Sequence, residues 1–121
     1  MSTAPARYVP ATISELLDHL ELMLTMSPTF KDRTGYFPKH SPDYIFGQLY
    51  DGLLLSKSDI GDVRYEAIVV LAGEARVLFD ADPQDDNGQA HEGRKIILKM
   101  EDILNEVFRE HEKRRDRKRR D

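Results

Sequence analysis

Four histidines, at positions 19, 40, 91 and 111, are the residues of this chain with the most versatile chemistry. None follows a glutamate by three residues and none lies in His-Glu-x-x-His, so the di-iron bundle and zincin patterns are both missing. Glu15 and His19 share a helix face, but that spacing is the one exposed side-chain pairs use and suggests no metal. No cysteine is present, which removes thiol nucleophiles, thiolate ligands and disulfides together. No serine sits in Gly-x-Ser-x-Gly, and the seven glycines form neither Gly-x-Gly-x-x-Gly nor a phosphate-binding P-loop. Asp80, Asp82, Asp85 and Asp86 invite a calcium reading, yet counting back from Gly88 puts Pro83 where an EF-hand needs its first acid. A solvated loop that places negative charge near the start of the next helix is the simpler account. The reading therefore leans away from an enzyme and assigns no catalytic residue, cofactor or metal.

Residues 27–41 carry the chemistry that remains. A compact helical protein needs no connection of this length, and long ordered loops are disproportionately functional. The segment gathers Phe30, Tyr36 and Phe37 with Lys31, Arg33, Lys39 and His40. Aromatic and cationic side chains in such a mixture anchor binding surfaces, and these residues are the candidate binding site. Two readings stay open. The aromatics fold back as a lid while the cations pair with an acidic body, or the segment docks an acidic protein or an anionic ligand.

That body is acidic because the net charge of −4 is unevenly spread. Residues 109–121 hold eight Lys or Arg against four Asp or Glu, which leaves −8 for residues 1–108. Only the tail, with Lys113, Arg114, Arg115, Arg117, Lys118, Arg119 and Arg120, offers charge that phosphates attract. No aromatic is interleaved there to stack on bases. A solvated terminus and a weak nucleic-acid contact are its two readings.

The elements that must position these groups read as helices. Residues 1–11, with Pro5 and Pro10, form an extended lead-in. Thr12 and Glu15 match a capping box, and Ile13, Leu16, Leu17, Leu20, Met23 and Leu24 recur at intervals of three and four, so the first helix spans about Ile13 to Met26. Ser41-Pro42 opens the second, whose stripe is Ile45, Phe46, Leu49, Tyr50, Leu53 and Leu54; Gly47 and Gly52 weaken it unless a neighbour approaches closely there. Residues 58–62 read as a turn. The third helix runs to about Phe79 with Val63, Ala67, Val70, Leu71, Ala75 and Leu78 inward, although Ile68 to Leu71 alone resembles a strand. The fourth begins near Gln89 and buries Ile96, Ile97, Met100, Ile103, Leu104, Val107 and Phe108, fraying after about Arg115.

Amphipathic helices without strands cover one another best in an all-α, antiparallel four-helix bundle with a long loop between helices 1 and 2. At 121 residues the expectation is a single helical domain: lead-in 1–11, bundle 12–108 and basic exposed tail 109–121. No stretch approaches the roughly 20 apolar residues of a membrane span and no signal-peptide pattern opens the chain, so a cytoplasmic location is expected. The functional expectation is a non-enzymatic protein-interaction or regulatory domain, such as an immunity-type binder, using the residue 30–40 loop. The alternatives are nucleic-acid association through the tail and a ligand-binding bundle with a pocket near His19, Tyr50 or the aromatic loop. A homodimer through surplus apolar surface on the last two helices is also open.

Overall fold

The computed structural model describes residues 8–31 and 40–120, with side chains as far as Arg117. Among them are five helices and no strand: α1 (Ile13–Met26), α2 (Pro42–Leu55), α3 (Lys57–Ile60), α4 (Asp62–Asp80) and α5 (Gln89–Arg120). Local capping chemistry explains where they start. Thr12 is extended, and its hydroxyl accepts the Glu15 backbone N–H at 3.1 Å. The reciprocal bond goes one residue further upstream than a capping box has it, because the Glu15 carboxylate accepts from Ala11 N–H at 3.3 Å. Ser41 caps α2 by accepting from Tyr44 N–H at 3.2 Å, with Pro42 in the first turn. The turn expected at 58–62 is mostly the single turn of α3. Gly61, at φ +90°, ends it and redirects the chain into α4.

The long helices touch in a circuit: α1 packs on α2 and α5, and α4 packs on α2 and α5. Their shared core takes Leu16, Leu20 and Met23 from α1, Ile45, Leu49 and Leu53 from α2, and Ile97, Met100 and Leu104 from α5, all fully buried. Burial of one such side chain is worth about 1.5–3 kcal/mol. Gly52 meets the close-approach expectation: a Cβ there would lie 2.5 Å from the Pro10 carbonyl oxygen and 2.9 Å from Leu16. The lead-in, rather than a helix, is the main neighbour that comes close. Gly93 does the same for the α4–α5 contact, where a Cβ would sit 2.8 Å from the Phe79 ring.

The buried face of α4 differs from the one the spacing suggests. Ile68, Ala72, Ala75 and Phe79 point inward, whereas Val63, Val70 and Val77 are 85%, 59% and 67% exposed. Ala67 is exposed as well, and Leu71 and Leu78 are half-buried. The helix is apolar on more than one face, and on the buried one the Phe79 ring meets α5 at Gly93. Leu54, at 62% exposed, and Phe108, at 40%, likewise lie outside the stripes assigned to them. Urea denaturation tests the rotation of α4. Ile68→Ala should cost about 2–5 kcal/mol, and Val70→Ala should leave stability within about 0.5 kcal/mol of the parent. The reverse ranking would restore the face read from spacing.

α5 runs on to Arg120 instead of fraying near Arg115. Glu110 does not pair with Arg114 as its spacing suggests. It accepts a bidentate bond from Arg64 of α4, with both contacts at 2.9 Å, while Arg115 donates to Glu112 at 3.3 Å. Straight-chain Arg and Lys favour helix intrinsically, which suits them to carry it onward. No helix among the described residues is long and apolar enough to cross a membrane.

Candidate functional site

Where the lead-in crosses α1 and the start of α2, the described residues leave a cleft of about 330 Å³. α1 contributes Glu15, Asp18, His19 and Leu22 from successive turns, α2 contributes Tyr44 and Gln48, and Tyr8 and His40 complete the lining. His19 is buried, although its pairing with Glu15 suggested an exposed position. Its Nε2 donates to the Ile45 carbonyl at 3.0 Å, which fixes the neutral tautomer and leaves Nδ1 as an acceptor. Burial, reinforced by the nearby His40 and only partly offset by the Ile45 carbonyl, holds the His19 imidazole below its ordinary pKa. Glu15 is committed elsewhere, because the Tyr8 hydroxyl donates to its carboxylate at 2.8 Å. That bond raises the Tyr8 phenol above its usual value and lowers the Glu15 carboxyl below its own.

Gln48 spends an Nε2 hydrogen on the Tyr8 carbonyl, at 2.9 Å, and so ties the lead-in to α2. The His40 ring leans on Tyr44 with centroids 5.4 Å apart. Asp18 differs from its neighbours: it is exposed, and among the described residues no hydrogen bond or ion pair holds it. The cleft thus joins two tyrosine rings, two carboxylates and two imidazoles, of which that of His19 is buried and neutral. No group of three or more potential ligands able to hold a metal occurs among the described residues.

The residues singled out in the 30–40 segment separate. Phe30 is fully buried, edge-to-face with Phe46 at 5.4 Å and with Phe79 at 5.2 Å. Its ring belongs to the core. Lys31 is exposed and His40 lies at the cleft, while Arg33, Tyr36, Phe37 and Lys39 fall outside the described residues. Tyr50 is half-buried and takes no part in the cleft. His19 could have been found from sequence, since positions 16, 19, 20 and 23 lie on one helical face. Tyr8 and Gln48 gave no such signal, because their contact spans 40 residues.

The aspartate loop is occupied with its own backbone. Asp82 is fully buried, and its carboxylate accepts from Ala90 and Asp86 N–H at 2.9 Å each and from Asn87 N–H at 3.3 Å. Burial pushes its carboxyl upward, but those three donors outweigh burial and hold it below the ordinary range. Both carboxylate oxygens of Asp85 accept from Nη2 of Arg94, whose Nη1 also reaches the Ser27 hydroxyl at 3.1 Å. The loop therefore locks the entry to α5, and two of its four acids have no oxygen free of protein donors.

On the tail, Lys113, Arg114, Arg115 and Arg117 are exposed along α5; Lys118, Arg119 and Arg120 continue the helix. A second hollow, of about 380 Å³, lies where Phe108, His111 and Arg115 face Thr12 and Ser14. Among known proteins, no family model, no curated protein and no solved structure matches this chain.

Proposed function

We propose that this chain is a protein-interaction domain, an antiparallel four-helix bundle that docks its partner on the outer face of α1 and the start of α2. The circuit of contacts through α1, α2, α4 and α5 supports the architecture. One observation carries the docking reading: Asp18, unpaired among the described residues, lies in a cleft walled by Tyr8 and Tyr44, with His40, one described end of the 30–40 segment, in its lining. Tyrosine at a concave surface is a recurrent binding anchor, because it offers a large rigid contact at low entropic cost. Tyr8, Glu15 and His19, the groups that catalysis would first draw on, are engaged with each other or with backbone. The function is regulatory or inhibitory binding, with residues of the 30–40 segment taking part in it.

A second reading, nucleic-acid association, is favoured by the exposed cations of the last turns of α5. One capture experiment separates the two, with intact chain, Asp18→Arg and a deletion of residues 113–121 as baits under native conditions. A protein partner retained by the deletion and lost by Asp18→Arg, with the variant's melting temperature unchanged, is the expected result. Nucleic acid lost only with the tail, with a steep salt dependence, would establish the second reading instead. A partner that binds Asp18→Arg as well as the parent would remove the cleft from the interface.

A further inference from the structure

We infer that the cleft receives a cationic side chain, a guanidinium or alkylammonium group, presented by the docking partner. The inference rests on the docking reading above and adds the chemistry of what docks. It follows from which hydrogen-bonding groups of the cleft are already used. The Tyr8 hydroxyl hydrogen goes to Glu15, the His19 Nε2 hydrogen to Ile45, and one amide hydrogen of Gln48 to the Tyr8 carbonyl. What these groups have left to offer is mainly acceptors: the carboxylates of Glu15 and Asp18, Nδ1 of His19 and the amide oxygen of Gln48. Those residues of the lining suit a ligand that is all donors. Guanidinium brings five N–H groups and ammonium three, and neither brings an acceptor.

Charge and shape agree. An anion would meet two carboxylates, and the body around the cleft carries −8 over residues 1–108. The exposed Tyr8 ring supplies a face on which a cation rests favourably. A buried imidazole held neutral adds no opposing charge. The volume, about 330 Å³, is at the small end of ligand sites and suits one long side chain.

Amide chemical shifts of the intact chain, titrated with N-acetyl-arginine methylamide, N-acetyl-lysine methylamide and the neutral citrulline analogue, test this directly. The two cations should give saturable shifts around Glu15, Asp18 and Tyr44, and citrulline should bind more weakly by roughly three- to tenfold or more. Asp18→Asn should weaken arginine binding by a similar factor and leave the fold unchanged; Glu15→Gln, which removes the second carboxylate charge of the cleft, should weaken it too. Equal binding of citrulline, or indifference to both substitutions, overturns the inference. If the arginine probe binds but the captured partner ignores Asp18→Arg, the cation chemistry stands and the docking reading falls. If the partner is lost with Asp18→Arg but no probe binds, the docking reading stands and the cation falls.

Discussion

Replacing Phe30 with alanine should lower stability by about 3–5 kcal/mol, which for many domains is a large part of the total. The ring is fully buried at a junction of three elements and meets Phe46 of α2 and Phe79 of α4 edge-on. No single neighbour can collapse into the space it would leave, so most of the cavity cost persists. The backbone adds a second, sharper expectation. Phe30 adopts φ +58°, a left-handed conformation that is unfavourable for a residue with a Cβ and that burial of the ring must offset. Glycine carries no such penalty. Phe30→Gly should therefore be less destabilising than Phe30→Ala by about 0.5–1 kcal/mol, against the usual order of the two residues. Urea midpoints of both variants give the comparison. Equal losses would mean that the left-handed backbone carries no strain, and a loss below about 1 kcal/mol in either variant would remove Phe30 from the core.

The same residue shows what the chain discloses about itself and what it withholds. Helix starts at Thr12 and Ser41 are legible because capping is local: the side chain and the N–H it accepts are three residues apart. Core stripes on α1 and α5 are legible for a related reason, since each helix has one dominant apolar face. α4 has more than one, and choosing between the face of Val63, Ala67, Val70, Leu71, Ala75 and Leu78 read from spacing and the observed Ile68-Ala72-Ala75-Phe79, which share only Ala75, depends on the shape α5 presents, which no window on α4 contains. The aromatic content of residues 27–41 signals importance without sign, because a buried ring and a docking ring are written with the same letter. At the cleft, spacing along α1 could reveal a buried His19, but only the fold brings Tyr8, Tyr44 and Gln48 to it. The aspartate loop is the opposite case: its acids could be counted, yet Asp82 spends both carboxylate oxygens on backbone donors up to eight residues away.

Raising the pH should destabilise this protein through one carboxyl group, and Glu101→Gln should abolish that effect. Glu101 lies on α5 where it packs against α1, and its Oε1 is buried without a hydrogen-bond partner. Burial first, then the Glu21 carboxyl across the interface, then Glu21 and Asp102 as charges, push its pKa from 4.5 up to about 7. A folded pKa above the unfolded one means that the native state holds the proton more tightly. The associated stability is complete below about pH 4.5 and is lost as pH rises through about 7. The full shift corresponds to about 3 kcal/mol; partial exposure of Glu101 to solvent reduces this to about 1–2 kcal/mol. Glu15, Asp82 and Glu110 act in the opposite direction, since each is held below its ordinary value and stabilises the fold only above the normal carboxylate range. Stability should therefore peak near about pH 5–6, between the two sets. Glu101→Gln should raise the melting temperature by several degrees at pH 8 and leave it nearly unchanged at pH 4.5. Glu21→Gln, which removes the repulsion but not the burial, should give part of that gain. Carboxyl carbon titration provides the direct reading: a Glu101 midpoint near 4.5, with Glu101→Gln neutral at pH 8, would show that α1 and α5 meet without the carboxyl pair.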